Sequence, residues 1–206
     1  MMKTIFMASN GASSLATHHP VGRSAGTLAS RPRELYHDSP RFDFSERLSF
    51  SQSPDITRAV IDILLREIPG ATSVRPGTRA QDLAGGDFIV FRDGGQALYV
   101  DLKARERTFN GGQDLALETW SSIGDKPGWT RDAGKRTDCV LFYWHDTGDY
   151  LLLPFRPLRR AFIRHWRHWR EVYQKAQQQS RGWVSESVFV PREVVLAAIA
   201  PEGGEA

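Results

Sequence analysis

The chain has 206 residues, of which 40% are apolar and 25% charged, with a formal net charge of +3. That leaves room for one domain with a tail and excludes collagen-like, coiled-coil and wholly disordered chains. No apolar run approaches the roughly 20 residues needed to cross a bilayer. The one cysteine, Cys139, can form no internal disulfide. A soluble protein of a reducing, cytoplasmic compartment is expected, with no membrane partner.

The charge is uneven. Residues 1–41 carry Lys3, Arg23, Arg31, Arg33 and Arg41 against Glu34 and Asp38, which leaves 22 charges of each sign for the rest. The basic balance therefore belongs to the tail, and overall charge alone does not announce a nucleic-acid binder. Rich in Ser, Ala, Gly, Pro and Arg, residues 1–41 are expected to be a disordered basic tail. A transit peptide is a second reading of the same composition. The folded domain is expected over residues 42–200, with residues 201–206 a disordered end.

In chain order, Ser53-Pro54 offers an N-cap and a proline at the first helical position, and Gly70 a stop. Between them Ile56, Val60, Ile63, Leu64 and Ile68 recur at helical spacing, so an amphipathic helix is predicted. Ala71–Val74 reads as a short strand. Phe88–Arg92 and Gln96–Leu102 read as two strands joined by Asp93-Gly94-Gly95, a hairpin signal. Leu115–Trp120 is another strand, and Cys139–Trp144 with Tyr150–Leu153 a second hairpin. A long helix is predicted from Pro157 to Gln179, broken by Gly182. A strand over Val184–Val190 and a short helix over Pro191–Ala200 close the chain. The pattern is an α/β fold with a mixed sheet flanked by helices.

The hairpin carries the chemistry. Asp101 and Lys103 share one strand face because successive side chains alternate. A three-residue loop closed by Arg92 and Gln96 sets Asp87 directly opposite Asp101. A loop one residue shorter or longer sends the two carboxylates to opposite faces. Two facing carboxylates repel unless they are protonated or hold a cation, and hard oxygen ligands suit Mg²⁺ or Mn²⁺. The lysine could orient or deprotonate a water, or stabilise charge on a phosphoryl group. A surface hairpin with a cross-strand ion pair explains the same residues, and spacing alone does not decide.

Asp87, the hairpin and Asp101-x-Lys103 after an amphipathic helix resemble the PD-(D/E)XK, or restriction-endonuclease-like, nuclease superfamily. The resemblance implies an α-β-β-β-α-β core, Asp87 and Asp101 as metal ligands, and Lys103 as the catalytic lysine. Gly86 stands where the superfamily name has Pro. From about Asp87 to Trp169 the chain also resembles uncharacterised members from phages and mobile elements. The shared elements are Leu117-Glu118-x-x-Ser121, Gly128-Trp129, Thr137-Asp138, Leu153-Pro154-Phe155 and Arg159-Arg160. By that resemblance Glu118 is a third acid, as metal ligand or water orienter; a solvent-facing strand carboxylate is its other reading. Asp55 and Asp62 are candidates for a first-helix carboxylate, or plain surface charges.

Phe155–Arg170 holds Arg156, Arg159, Arg160, Arg164, Arg167 and Arg170 and no acid, while Phe162, Trp166, Trp169 and Tyr173 form one helical face. The aromatic face is expected in the core. The arginines suit phosphate contacts, with Arg159, Arg160, Arg164 and Arg167 as nucleic-acid-binding candidates, or a solvated face paired with acids elsewhere. Lys126, in the Gly124–Trp129 loop, is a further phosphate candidate, and Trp129 either a stacking surface or a packed turn residue. His165-x-x-His168 has the spacing of half a zinc site, but its arginine neighbours argue against zinc. The expected function is a Mg²⁺- or Mn²⁺-dependent nuclease, with DNA the expected partner. The alternative is a non-catalytic nucleic-acid- or protein-binding module on the same fold, such as a phage accessory or inhibitor protein. A homodimer is compatible with the resemblance, though no residue marks an interface.

Overall fold

The computed structural model describes residues 7–8, 53–106, 114–180 and 182–200. Apart from Met7–Ala8, the expected tail, the domain start at 42 and residues 201–206 lie outside the described residues. Strands β1 (Met7–Ala8), β2 (Ala71–Pro76), β3 (Phe88–Arg92), β4 (Ala97–Arg105), β7 (Cys139–Trp144) and β8 (Asp149–Pro154) form a six-stranded sheet in the order β1-β8-β7-β4-β3-β2. Strands β5 (Asp114–Ser122), β6 (Lys126–Pro127), β9 (Lys175–Ser180) and β10 (Trp183–Pro191) form a second sheet in the order β6-β5-β10-β9. The helices are α1 (Pro54–Glu67), α2 (Arg79–Leu83), α3 (Phe155–Val172) and α4 (Arg192–Ile199). The first sheet is mixed, because β4 and β7 run parallel and its other pairs antiparallel.

Helix α1 starts as its sequence dictates. The Ser53 hydroxyl accepts from the Ile56 N–H at 3.4 Å, and Pro54 takes the first turn, where its missing donor costs nothing. Its apolar face of Ile56, Val60, Ile63 and Leu64 packs on Phe88, Val90, Val100, Leu102, Leu141 and Tyr143. The other face of the same sheet carries Val140, Phe142, Trp144, Leu151 and Leu153. These pack with Leu115, Leu117, Val188 and Val190 of the second sheet and with α3 and α4. Full burial of each such side chain is worth about 1.5–3 kcal/mol. The two cores lock the central sheet between α1 on one side and the second sheet with α3 and α4 on the other.

One expectation needs correction, and one element was not expected. Helix α3 ends at Val172, not near Gln179, and Lys175–Ser180 is strand β9. Tyr173 is already extended, and β9 pairs back on β10 across a turn at Gly182 (φ +94). Ladder pairing outweighs the helix propensity of the Gln-rich stretch. Helix α2 was not anticipated, although Thr78 and Gln81 form a reciprocal capping box at its start. The link from β4 to β7 runs through β5 and β6, with no helix among its described residues. No helix among the described residues is long and apolar enough to cross a membrane.

Candidate functional site

The register of the first hairpin decides whether a site exists. Arg92 N–H donates to Gln96 O at 2.8 Å, closing a three-residue loop. Gly94 (φ +80) and Gly95 (φ +78) occupy left-handed backbone that side chains disfavour. The ladder then runs Phe91–Ala97, Val90–Leu98, Ile89–Tyr99 and Phe88–Val100. One step further sets Asp87 opposite Asp101, as the three-residue loop requires. The Asp87 carboxylate accepts from the backbone N–H of Leu102 at 2.7 Å, which binds it to the middle of the Asp-x-Lys strand.

The backbone around Asp87 is tied on both sides. Its carbonyl accepts from Gly77 N–H at 2.7 Å, and Gly86 N–H donates to Gln81 O at 2.9 Å. A proline at position 86 would lose that donor, and a Cβ there would come within 2.5 Å of the Tyr99 ring. The Gly at this position follows from local packing.

Asp101 and Lys103 lie in register with Val140 and Phe142 of β7, so they project from the face covered by the second sheet. Lys103 Nζ donates to Asp101 Oδ1 at 2.9 Å; Asp101 is only 7% exposed, whereas the Lys103 side chain keeps 31% of its surface in solvent. Burial pushes the Asp87 carboxyl up to about 8, aided by the Asp101 charge and by hydrogen bonds with Asp101 and Asp82, while Lys103 opposes the rise. Dense surroundings disfavour the charge on Lys103. The carboxylates of Asp101 and Asp87, the hydrogen bond to Asp101, and Glu118 more distantly outweigh them and hold the ammonium above the usual lysine value. The pair of carboxylates thus holds one lysine and an extra proton where a divalent cation would neutralise both.

Glu118 approaches from β5. Its Oε2 accepts from Ser121 Oγ and from Trp129 N–H, each at 2.9 Å. Gly128 permits this knot, since a Cβ there would stand 2.2 Å from the Glu118 carbonyl oxygen. The Trp129 ring lies under Lys103, with Nζ 4.8 Å from its centre, and packs on Phe155. Trp129 is therefore a packed residue that shapes the lysine's surroundings. Among the described residues no group of three or more His, Cys, Asp or Glu side chains is arranged to hold a metal. Thr137 and Asp138 have structural work. Thr137 Oγ1 donates to Gly85 O at 2.7 Å, and Asp138 Oδ2 accepts from Tyr99 N–H at 2.8 Å, joining β7 to β4 and to the Asp87 loop.

The remaining candidates separate. Lys126 is exposed on β6. Asp55 and Asp62 are exposed on α1, which covers the sheet face opposite Asp101. On α3, Arg159 donates to the Arg131 carbonyl, and Arg170 makes a two-pronged pair with the buried Glu186 at 2.6 and 3.0 Å. Arg159 and Arg170 are thus engaged by the fold; Arg160, Arg164 and Arg167 lie on the exposed part of the helix. Phe162 and Trp169 are buried and Trp166 and Tyr173 half-buried, as an aromatic core face requires. His165 stacks on Trp169 at 5.5 Å. Burial raises the Cys139 thiol to about 12, which removes it as a nucleophile near neutral pH.

Sequence reasoning missed Asp82, which α2 delivers beside Asp87; the Thr78-x-x-Gln81 capping box was the available signal. It also missed Arg131, whose guanidinium lies 4.5 Å from the Trp120 ring centre and 4.2 Å from that of Trp166. Compared with protein-family models, curated proteins and solved structures, the chain matches none.

Proposed function

We propose that this chain is a divalent-metal-dependent nuclease of the PD-(D/E)XK type, acting most readily on DNA. The observation that carries the reading is the hairpin register, which brings Asp87, Asp101 and Lys103 together on one sheet face. Further support comes from the order of elements: α1, then the antiparallel strands β2, β3 and β4, then β7 parallel to β4. The strand-bearing link between β4 and β7, where the superfamily core has a helix, is this chain's departure.

The donor set suits Mg²⁺ or Mn²⁺. Two facing carboxylates are what Mg²⁺ ordinarily takes from a protein, with waters and phosphate oxygens completing its shell. Asp87 and Asp101 would hold the ion, with Glu118 close by but engaged by Ser121 and Trp129. Bound there, a divalent cation polarises a phosphoryl oxygen and lowers the pKa of a coordinated water. Lys103, held on Asp101 at 2.9 Å, would stand beside the phosphoryl group, where it would orient the attacking water or stabilise the negative charge that develops. Trp129 beneath the lysine limits where that ammonium can point.

The test is incubation of the purified protein with supercoiled plasmid, linear duplex, single strands and RNA, with Mg²⁺, Mn²⁺ or EDTA. Cleavage in the metal arms that EDTA abolishes is the expected result. Binding without cleavage in every arm would instead assign a non-catalytic binding module.

A further inference from the structure

Beyond the carboxylate hairpin, a second polar cluster lies where α3 packs on the second sheet. Arg131 is held between the Trp120 and Trp166 rings, and its NH1 donates to Thr119 O at 3.0 Å, which fixes the guanidinium in place. Arg167 lies 4.9 Å and Arg170 6.0 Å from the same Trp166 ring. Burial, together with the charges of Arg167 and Arg170, makes Arg131 a weaker base than usual, a sign of cations held closer than they would choose. Glu186 neutralises Arg170. Among the described residues neither Arg131 nor Arg167 pairs with a carboxylate. A groove of about 340 Å³ opens beside them, lined by Trp166, Arg167, Arg170, Glu171 and Lys175. That volume falls at the lower end of cavities that hold small ligands, which run from about 300 to 1,000 Å³.

Like charges gathered on aromatic supports are stabilised by a shared anion, and guanidinium forks match phosphate oxygens in pairs. We infer that the groove between α3 and β9 is a phosphate-binding site, separate from the carboxylate hairpin, in which Arg167 and Lys175 hold a phosphate group, while Arg131, stacked on the Trp166 ring, adds positive charge nearby. The chain itself links the two places: Trp129 stands under Lys103, and Arg131, two residues on, stacks on the Trp166 ring that lines the groove. The inference rests on the nuclease reading only for the source of the phosphate. A nucleic-acid strand crossing the hairpin would supply it from its backbone, and a free polyphosphate would supply the same chemistry.

The experiment uses the full chain in EDTA, so that nothing is cut. Binding of a fluorescein-labelled 20-nucleotide single strand and of the matching duplex is measured from low to high salt, for wild type and for the Arg167→Ala/Lys175→Ala double variant. Both positions are exposed, and a matched melting temperature verifies that the variant folds. A second arm measures the melting-temperature rise of each protein with inorganic tripolyphosphate. The site predicts roughly tenfold weaker oligonucleotide binding by the variant. Its plot of log K against log salt should be flatter by roughly 1 for each phosphate contact removed. It also predicts a tripolyphosphate effect that the variant loses. If wild type responds to tripolyphosphate but to neither oligonucleotide, the site stands with a free polyphosphate as its source, and the nucleic-acid reading fails. If wild type and variant show the same affinities, salt slopes and tripolyphosphate responses, the site is overturned, even should the protein cleave DNA.

Discussion

Asp87 Oδ2 lies 2.7 Å from the backbone nitrogen of Leu102, the residue between Asp101 and Lys103. That one hydrogen bond ties the first acid to the Asp-x-Lys strand through the backbone, so this tie does not depend on the side chain of Asp101 or Lys103. It also leaves the rest of the Asp87 carboxyl turned toward Asp101, which is why burial and the Asp101 charge together make it a weak acid.

The raised Asp87 carboxyl gives a pH signature of defined sign. Between the ordinary carboxylate range and about pH 8 the folded state keeps a proton that the unfolded state has lost, so metal-free stability falls as pH rises through that window. Allowing for partial solvent screening, the loss should be on the order of 2 kcal/mol. Glu67 and Glu186 behave oppositely. Hydrogen bonds from Tyr150 and Arg170 help hold their carboxyls low, and their stabilisation disappears as pH falls below the usual carboxylate range. Urea midpoints in EDTA from pH 5 to 8.5 should therefore decline for wild type and stay flat for Asp87→Asn. Added Mg²⁺ should stabilise wild type more at pH 8 than at pH 6, because proton and metal compete for the same oxygens.

Gly128→Ala probes the Glu118 knot. The new methyl would stand 2.2 Å from the Glu118 carbonyl oxygen, so the 128–131 segment must move and carry Trp129 away from Lys103. A loss of about 1–3 kcal/mol is expected by chemical denaturation, together with reduced cleavage. Ser121→Ala, which removes one of two hydrogen bonds to Glu118, should cost only about 0.5–1.5 kcal/mol.

Arginines on α3 should divide sharply. Arg170→Ala strands the Glu186 carboxylate, which is 3% exposed, and should cost roughly 2–4 kcal/mol, tempered because Arg170 itself is partly solvated. Arg160→Ala, on the exposed face, should stay within about 0.5 kcal/mol of wild type. Thermal melts of both variants at neutral pH check the contrast.

Local grammar made much of this fold legible. Asp93-Gly94-Gly95 announces a hairpin, Ser53-Pro54 a helix start, and the alternation in Asp101-x-Lys103 a shared face. Non-local pairing escaped. The Lys175–Ser180 stretch has no strand pattern of its own and becomes β9 because β10 offers it a partner. Which acid pairs with Arg170 was not legible, because Glu186 lies 16 residues away on another element. Arg131 carried no signal at all, since its meaning comes from Trp120 and Trp166, which only the packing of α3 on β5 brings to it. The hairpin half of the site was readable because both acids sit in one local ladder; the positions of Asp82 on α2 and of Trp129 beside Lys103 depend on how those segments pack against the hairpin.

The most direct test is single-turnover cleavage of an end-labelled DNA duplex by wild type, Lys103→Ala and Asp101→Asn in Mg²⁺, with binding measured in parallel. Wild type should cut. Lys103→Ala should bind DNA yet cut about 10²–10⁴-fold more slowly, and Asp101→Asn should lose cleavage together with Mg²⁺-dependent stabilisation. Equal cleavage by wild type and Lys103→Ala, or no cleavage by wild type with any divalent metal, would contradict the assignment of Asp87, Asp101 and Lys103 as a nuclease site.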